Sequence, residues 1–155
     1  MSFFSKAIPA PVPKTRNAWL AGLLLAGFFV VMAVGQLFTF EDFPGVLAAF
    51  HLPGETLAVI YAGVIVALEV LALPFLLGLS LSRAMRVVSM VCGWLAITFW
   101  LVVSIFGNIA NVGNSGLLGA TVTLPTGWWS VCFCVALGIL AAWAAWGSWP
   151  FTHKK

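Results

Sequence analysis

The sequence predicts an all-α, polytopic membrane protein: a four-transmembrane-helix bundle with a short outer interfacial helix. Three observations carry that fold class. Hydrophobic residues make up 63% of the 155-residue chain and charged residues 7%, against about 45–50% and about 25% in soluble domains. The mean hydropathy of +1.12 leaves too few polar side chains to clothe a water-facing surface. Apolar runs of the length that crosses a hydrocarbon core, about 20 residues, recur at about 19–40, 57–79, 87–107 and 128–149. Lipid leaves no partner for an open backbone, and no period-two alternation of the barrel kind is present, so these spans are helices. The same composition excludes a cytosolic enzyme, a secreted disulfide scaffold and a disordered chain.

Residues 1–18 form a Pro-rich tail in which Pro9, Pro11 and Pro13 alternate. That spacing favours extended geometry and predicts a loose cytoplasmic arm. The first span follows a basic segment, as a signal peptide would. It runs about twice the length of an h-region and meets Glu41 and Asp42 rather than a small-x-small cleavage site, so it reads as an uncleaved span. Phe43, Val46, Leu47 and Phe50 then fall at i, i+3, i+4, i+7, the spacing of one helix face. Asp42 is placed to cap this short helix, with Pro44 in its first turn. It is expected to lie on the outer membrane surface or to fold over the mouth of the bundle. The second span contains Pro74, a kink position. The connection from Asn108 to Gly127 is uncharged, rich in Gly and Asn, and long for a bare connector, which marks it as functional or as a docking surface. Trp19, Trp128, Trp129, Trp146 and Trp149 sit at span ends as an interfacial belt, with Trp94, Trp100 and Trp143 further in. Gly22/Ala26, Gly63/Ala67 and Gly138/Ala142 are spaced for close helix contact.

Orientation follows from the basic residues. Lys6, Lys14 and Arg16 precede the first span, Arg83 and Arg86 separate the second and third, and Lys154 and Lys155 lie in the basic tail at 150–155. The other two connections hold no Lys or Arg. The positive-inside rule therefore puts both termini in the cytoplasm of a multi-pass protein of a bacterial-type inner membrane. These clusters form no stripe interleaved with aromatics, so the net charge of +3 implies no nucleic-acid partner.

Glu69 is the one ionisable side chain deep in a span. Twelve residues past Leu57, at about 1.5 Å each, place it roughly 18 Å in, near mid-bilayer. A carboxyl there is costly, and with no Lys, Arg or His at its depth it has no ion-pair partner, so the neutral acid is favoured. As an acid it can donate to Thr98, near the middle of the third span, or to a ligand. Two readings stand: a ligand, quinone or proton site facing the bundle interior, or an inter-helix hydrogen bond that fixes packing. Asn108, Asn111 and Asn114 either line a polar mouth above Glu69 or cap the helix where the third span leaves the membrane. Cys92, Cys132 and Cys134 contain no C-x-x-C, and Cys132 and Cys134 point to different helix faces, so they read as small packing residues. His51 with Glu55 supplies two ligands, too few for a metal site. The spans hold no His pair for bis-His haem ligation.

Ala33, Val34, Gly35, Gln36, Leu37 and Phe38 close the first span, and Phe40 to Pro53 form an apolar outer segment. Glu69 followed by Leu77, Gly78 and Leu79 completes a pattern that resembles the DoxX/MauE-like family of four-helix membrane proteins, over about a third of the chain. The family often carries a basic residue where Gln36 stands here. The resemblance implies a four-helix bundle associated with membrane redox systems: quinone-linked oxidation in one branch, maturation of a periplasmic dehydrogenase in another.

The sequence holds no catalytic constellation, little polar mass outside the bilayer and many helix-packing positions. The leading expectation is therefore a non-catalytic accessory subunit or assembly factor that packs against a larger membrane redox complex. No intrinsic cofactor is expected, and a quinone or lipid is the ligand to look for. The alternatives are a DoxX-type quinone-linked redox component with its site at Glu69, Thr98 and Gln36, and, lowest, a small-molecule binding or carrier protein. Against a carrier stand the lack of an internal repeat and of helices broken mid-membrane, with Pro74 the one candidate break.

Overall fold

The structure is a computed structural model that describes residues 7–50 and 55–149. It is all-helical among those residues, with α1 Arg16–Phe38, α2 Phe43–Ala48, α3 Glu55–Leu76, α4 Arg83–Ala110 and α5 Trp128–Gly147. α1, α3, α4 and α5 are each long and apolar enough to cross a membrane. Neighbouring helices touch in the cycle α1–α3–α4–α5–α1, and α2 packs on α3. The chain is therefore a four-helix membrane bundle.

Each long helix turns one stripe of small or apolar residues inward. On α1 the stripe is Ala18, Gly22, Leu25, Phe29, Met32 and Gln36; on α4 it is Ser89, Gly93, Ala96, Trp100, Val103 and Gly107. The opposite faces are apolar and exposed, with Val31, Val59, Ile60, Leu95 and Ile139 all more than half accessible. Lipid is as apolar as those side chains, so the inward stripe is selected for close fit rather than for hydrophobicity.

Helix ends explain where the observed bounds depart from the expected spans. The Thr15 hydroxyl accepts from Ala18 N–H at 3.2 Å and starts α1 before Trp19. Ser82 does the same for α4, accepting from Met85 N–H at 3.3 Å. At its other end α4 runs on to Ala110, where Asn111 takes the left-handed conformation that terminates it. At 28 residues α4 is about 42 Å long, well beyond the hydrocarbon thickness of about 30 Å.

Several expectations are corrected. Asp42 occupies the N-cap position of α2 but makes no side-chain cap hydrogen bond. Of the small-residue pairs, only Gly22/Ala26 lies at a close contact. Gly22 sits between Leu76 O and Ala144, whereas Gly63 has nothing near it, Gly138 meets only the Ile97 side chain, and Ala67 and Ala142 face outward. The arm is not loose along residues 8–14. Ile8 and Leu81 exchange backbone hydrogen bonds of 3.1 and 3.2 Å, and Lys14 N–H donates to Gly147 O at 3.0 Å. The Lys14 pairing satisfies a carbonyl that the end of α5 leaves open. Lys6, the rest of residues 1–6, residues 51–54 with His51 and Pro53, and the tail at 150–155 with His153 lie outside the described residues.

Pro74 sits inside α3, where a proline removes one helix hydrogen bond. Ser89 on α4 repairs the neighbourhood. Its hydroxyl accepts from Phe75 N–H at 3.0 Å and donates to Leu71 O at 2.6 Å, inserting a neighbouring helix's side chain into the backbone ladder.

Candidate functional site

The inward stripe of α3 runs Ala58, Ala62, Ile65, Glu69, Ala72 and Leu76. Steps of three and four residues keep these side chains on one face, so the register of α3 points Glu69 at protein and not at lipid. The carboxyl is 0% exposed. Its Oε1 accepts two hydrogen bonds, from Trp100 Nε1–H at 2.7 Å and from Gln36 Nε2–H at 3.2 Å. Gln36 also donates from Nε2 to Leu117 O at 3.2 Å. One carboxyl oxygen thus ties α3 to α1 and α4, and Gln36 extends the tie to the connection between α4 and α5.

That connection and α2 roof the cluster. Phe43 and Leu47 of α2 are fully buried, and the Phe43 ring lies 6.4 Å from that of Trp100. Gly116 and Gly119 both have positive φ, 72° and 82°, a conformation that only glycine adopts without strain. A side chain on Gly119 would collide with Gly35 O and the Thr39 hydroxyl. The Thr39 hydroxyl in turn accepts from Ala120 N–H at 2.9 Å and donates to Gly35 O at 3.0 Å. The loop is thereby pressed against the end of α1, with Leu117 buried in the mouth. Of the two placements open to α2, it takes the fold over the mouth.

Polar atoms remain unmatched inside the cluster. Glu69 Oε2 and Gln36 Oε1 are buried and have no hydrogen-bond partner among the described residues. Two N–H donors on Oε1 make it the carbonyl-like oxygen, so a neutral acid carries its proton on Oε2. That O–H is the group a water or a ligand would meet. No cation opposes the carboxyl, since no Lys, Arg or His occurs in the described parts of any span near it.

Of the residues proposed from sequence, the structure brings Glu69 and Gln36 together and excludes Thr98. Thr98 is exposed on the outer face of α4 and donates to Trp94 O, one turn back, at 2.8 Å. It lies two residues short of Trp100, and that offset rotates it off the inward stripe. The asparagines do not converge on Glu69. Asn111 is the exposed left-handed terminus of α4, and Asn114 Oδ1 accepts from Gly116 N–H at 3.1 Å to hold the loop; Asn108 is half-buried. Cys92 and Cys134 are buried, Cys132 is exposed, and all three are free thiols. Among the described residues no group of three His, Cys, Asp or Glu side chains is placed to hold a metal.

Trp100 is the site residue that sequence reading missed. A wholly buried indole needs an acceptor for its N–H, and Trp100 continues the Ser89–Gly93–Ala96 stripe at helical spacing. Those two facts together were the available signal.

Four cavities lie among the described residues elsewhere in the bundle, and Glu69, Gln36 and Trp100 line none of these four. Comparison with protein-family models, curated proteins and solved structures finds no match to this chain.

Proposed function

We propose that this chain is a small accessory subunit or assembly factor of a larger membrane redox complex, in which the Glu69 cluster holds the bundle together. The observation behind this reading is the sealing of Glu69: zero exposure, two N–H donors on one oxygen, and a roof of α2 and Leu117 above it. A carboxyl so enclosed offers no path to substrate, whereas the outward faces of all four spans are broad apolar surfaces suited to lipid or to neighbouring helices. The basic clusters support a topology with both termini in the cytoplasm of a bacterial-type inner membrane. Gentle extraction of native membranes, native gel separation and mass spectrometry of the co-migrating band test the reading. Fixed stoichiometry with a larger redox complex is expected. Migration of the chain alone, as a small bundle, would overturn it.

One observation favours a second reading, a DoxX-type quinone-linked component. Glu69 Oε2 and Gln36 Oε1 are buried polar atoms without partners among the described residues, and such atoms carry a cost that a quinone carbonyl or a water would relieve. A soluble quinone should then raise the melting temperature of the purified protein, and Glu69→Gln should remove that rise. No rise in the wild type would count against it.

A further inference from the structure

The end of the bundle opposite the Glu69 roof holds a cavity of about 270 Å³. Its walls come from the first turns of α1, the end of α3, the first turn of α4, the end of α5 and the docked arm at residues 10–13. Arg86 lines it and is only 7% exposed. A buried guanidinium is costly unless paired. Among the described residues, the one hydrogen bond of this guanidinium runs from Nη2–H to Ile8 O, at 3.2 Å, out of five available N–H donors. No carboxylate side chain can complete the pairing. The only acidic residues of the chain are Glu41, Asp42, Glu55 and Glu69, all toward the other end or the middle of the bundle.

The surroundings sharpen the imbalance. Arg86 stands in the first turn of α4 together with Arg83, and that turn holds no acidic residue, although a helix N-terminus favours anions and disfavours cations. Arg16 lies next to the cavity, in an adjoining hollow that shares Pro13 and Trp19 with it. Apart from Ser148 the other side chains of the wall are apolar, and Trp19, Leu77 and Leu79 are each about half exposed, so they carry the apolar surface from the cavity to the outside of the bundle.

We propose that this cavity binds an anionic phospholipid, its phosphate held by Arg86 and its acyl chains laid along Trp19, Leu77 and Leu79. The phosphate supplies the charge that Arg86 lacks, in the bidentate geometry a guanidinium favours. The exposed apolar wall selects a lipid over free phosphate, which would leave that wall unused. Basic pockets between transmembrane helices are a general setting for anionic headgroups. This inference stands apart from the proposed function, since it concerns neither Glu69 nor a partner complex.

The full chain, purified in detergent and exchanged into nanodiscs of mixed phosphatidylglycerol and phosphatidylcholine, is followed by native mass spectrometry as lipid is stripped away. The wild type should retain one phosphatidylglycerol with a preference of roughly tenfold over phosphatidylcholine, whose choline cation offsets the charge of the same phosphate group. Arg86→Gln should abolish the preference, and Arg83→Gln, an equal change of charge on an exposed side chain, should retain it. Ala10→Phe, which fills the cavity from the arm and leaves the helices unaltered, should also abolish it and covers the case in which Arg86→Gln misfolds. Equal retention of the two lipids, or a preference unchanged by both Arg86→Gln and Ala10→Phe, overturns the proposal. So does displacement of the retained lipid by millimolar inorganic phosphate, which would make a free anion the occupant.

Discussion

Trp100→Phe tests whether the Glu69 cluster holds the bundle together. The substitution keeps a ring in the core but deletes the N–H that reaches Glu69 Oε1 at 2.7 Å. An intramolecular hydrogen bond is worth about 0.5–1.5 kcal/mol net in soluble proteins, and inter-helix hydrogen bonds in membrane proteins average about 0.6 with a maximum of about 1.7 kcal/mol. The short contact and the full burial of both partners put this one toward the upper end, about 1–1.5 kcal/mol. Loss of ring volume adds a packing cost of roughly 1–2 kcal/mol, so the single variant should lose about 2–3.5 kcal/mol. Crossing it with Glu69→Leu separates the two contributions. In the Glu69→Leu background the acceptor is already gone and the indole N–H is stranded, so Trp100→Phe should cost no more than its packing share, and the coupling should be at least the hydrogen bond, about 1–1.5 kcal/mol. Reversible unfolding in mixed micelles with rising dodecyl sulfate, followed by circular dichroism, gives the four stabilities. Costs that add to within about 0.3 kcal/mol would show that the contact carries no energy and would remove the argument for Glu69 as a packing element.

Two further expectations concern the backbone. Ser89→Ala should destabilise by about 1–2 kcal/mol in the same assay, because it strands Phe75 N–H and Leu71 O; in a Pro74→Ala background, where α3 can close its own ladder, the cost should shrink, and equal costs in both backgrounds would refute the repair role. Gly119→Ala combines positive φ with a collision against Gly35 O, a strain of about 1–3 kcal/mol, so the amides of residues 115–120 should exchange with deuterium faster while those of α4 are unchanged; unaltered exchange in the loop would mean it is not docked as described.

The sequence made the four spans legible because each is a long apolar run bounded by charge, Pro or Gly, and such runs have one structural solution in lipid. Their facing was less legible. In a soluble helix the apolar stripe points inward, but here both faces are apolar, and the inward stripe differs only in residue size and in rare polar atoms. That is why Thr98 was a fair partner for Glu69 by depth, while the alternation of Ser89, Gly93, Ala96 and Trp100 carried the true facing. The same ambiguity misassigned Gly63/Ala67 and Gly138/Ala142, whose spacing permits close contact without requiring it. The roof over Glu69 could not be read locally at all. It depends on Gly35 meeting Gly119 and on Gln36 meeting Leu117, contacts that span more than 80 positions of chain and that no periodicity encodes. The arm escaped for a related reason: its prolines fix extended geometry but not what that geometry rests on, and here it pairs Ile8 with Leu81.

Several polar side chains in and beside the core end on backbone, whereas the two buried ionisable ones are not explained by that alone, and the contrast shows where function is to be sought. Ser89 serves the helix around Pro74, Thr39 the contact between α1 and the loop, and Ser130 the start of α5, donating to Gly127 O at 2.7 Å. Each of these ends on backbone and is explained by the groups it satisfies. Glu69 and Arg86 are not explained in that way. Glu69 accepts from two side chains and still holds an oxygen without a partner, and Arg86 carries a charge that no described residue at its end of the bundle balances. The two cannot compensate each other: Glu69 lies more than a turn before Pro74, under the roof, while Arg86 faces the opposite opening. A bundle needing only to fold could have placed leucine at both positions at no cost in packing stripes. Retaining an uncompensated acid at one depth and an uncompensated base at another points to two separate demands. The acid's is met in part from inside, by Trp100 and Gln36, and among the described residues nothing at the other end meets the base's.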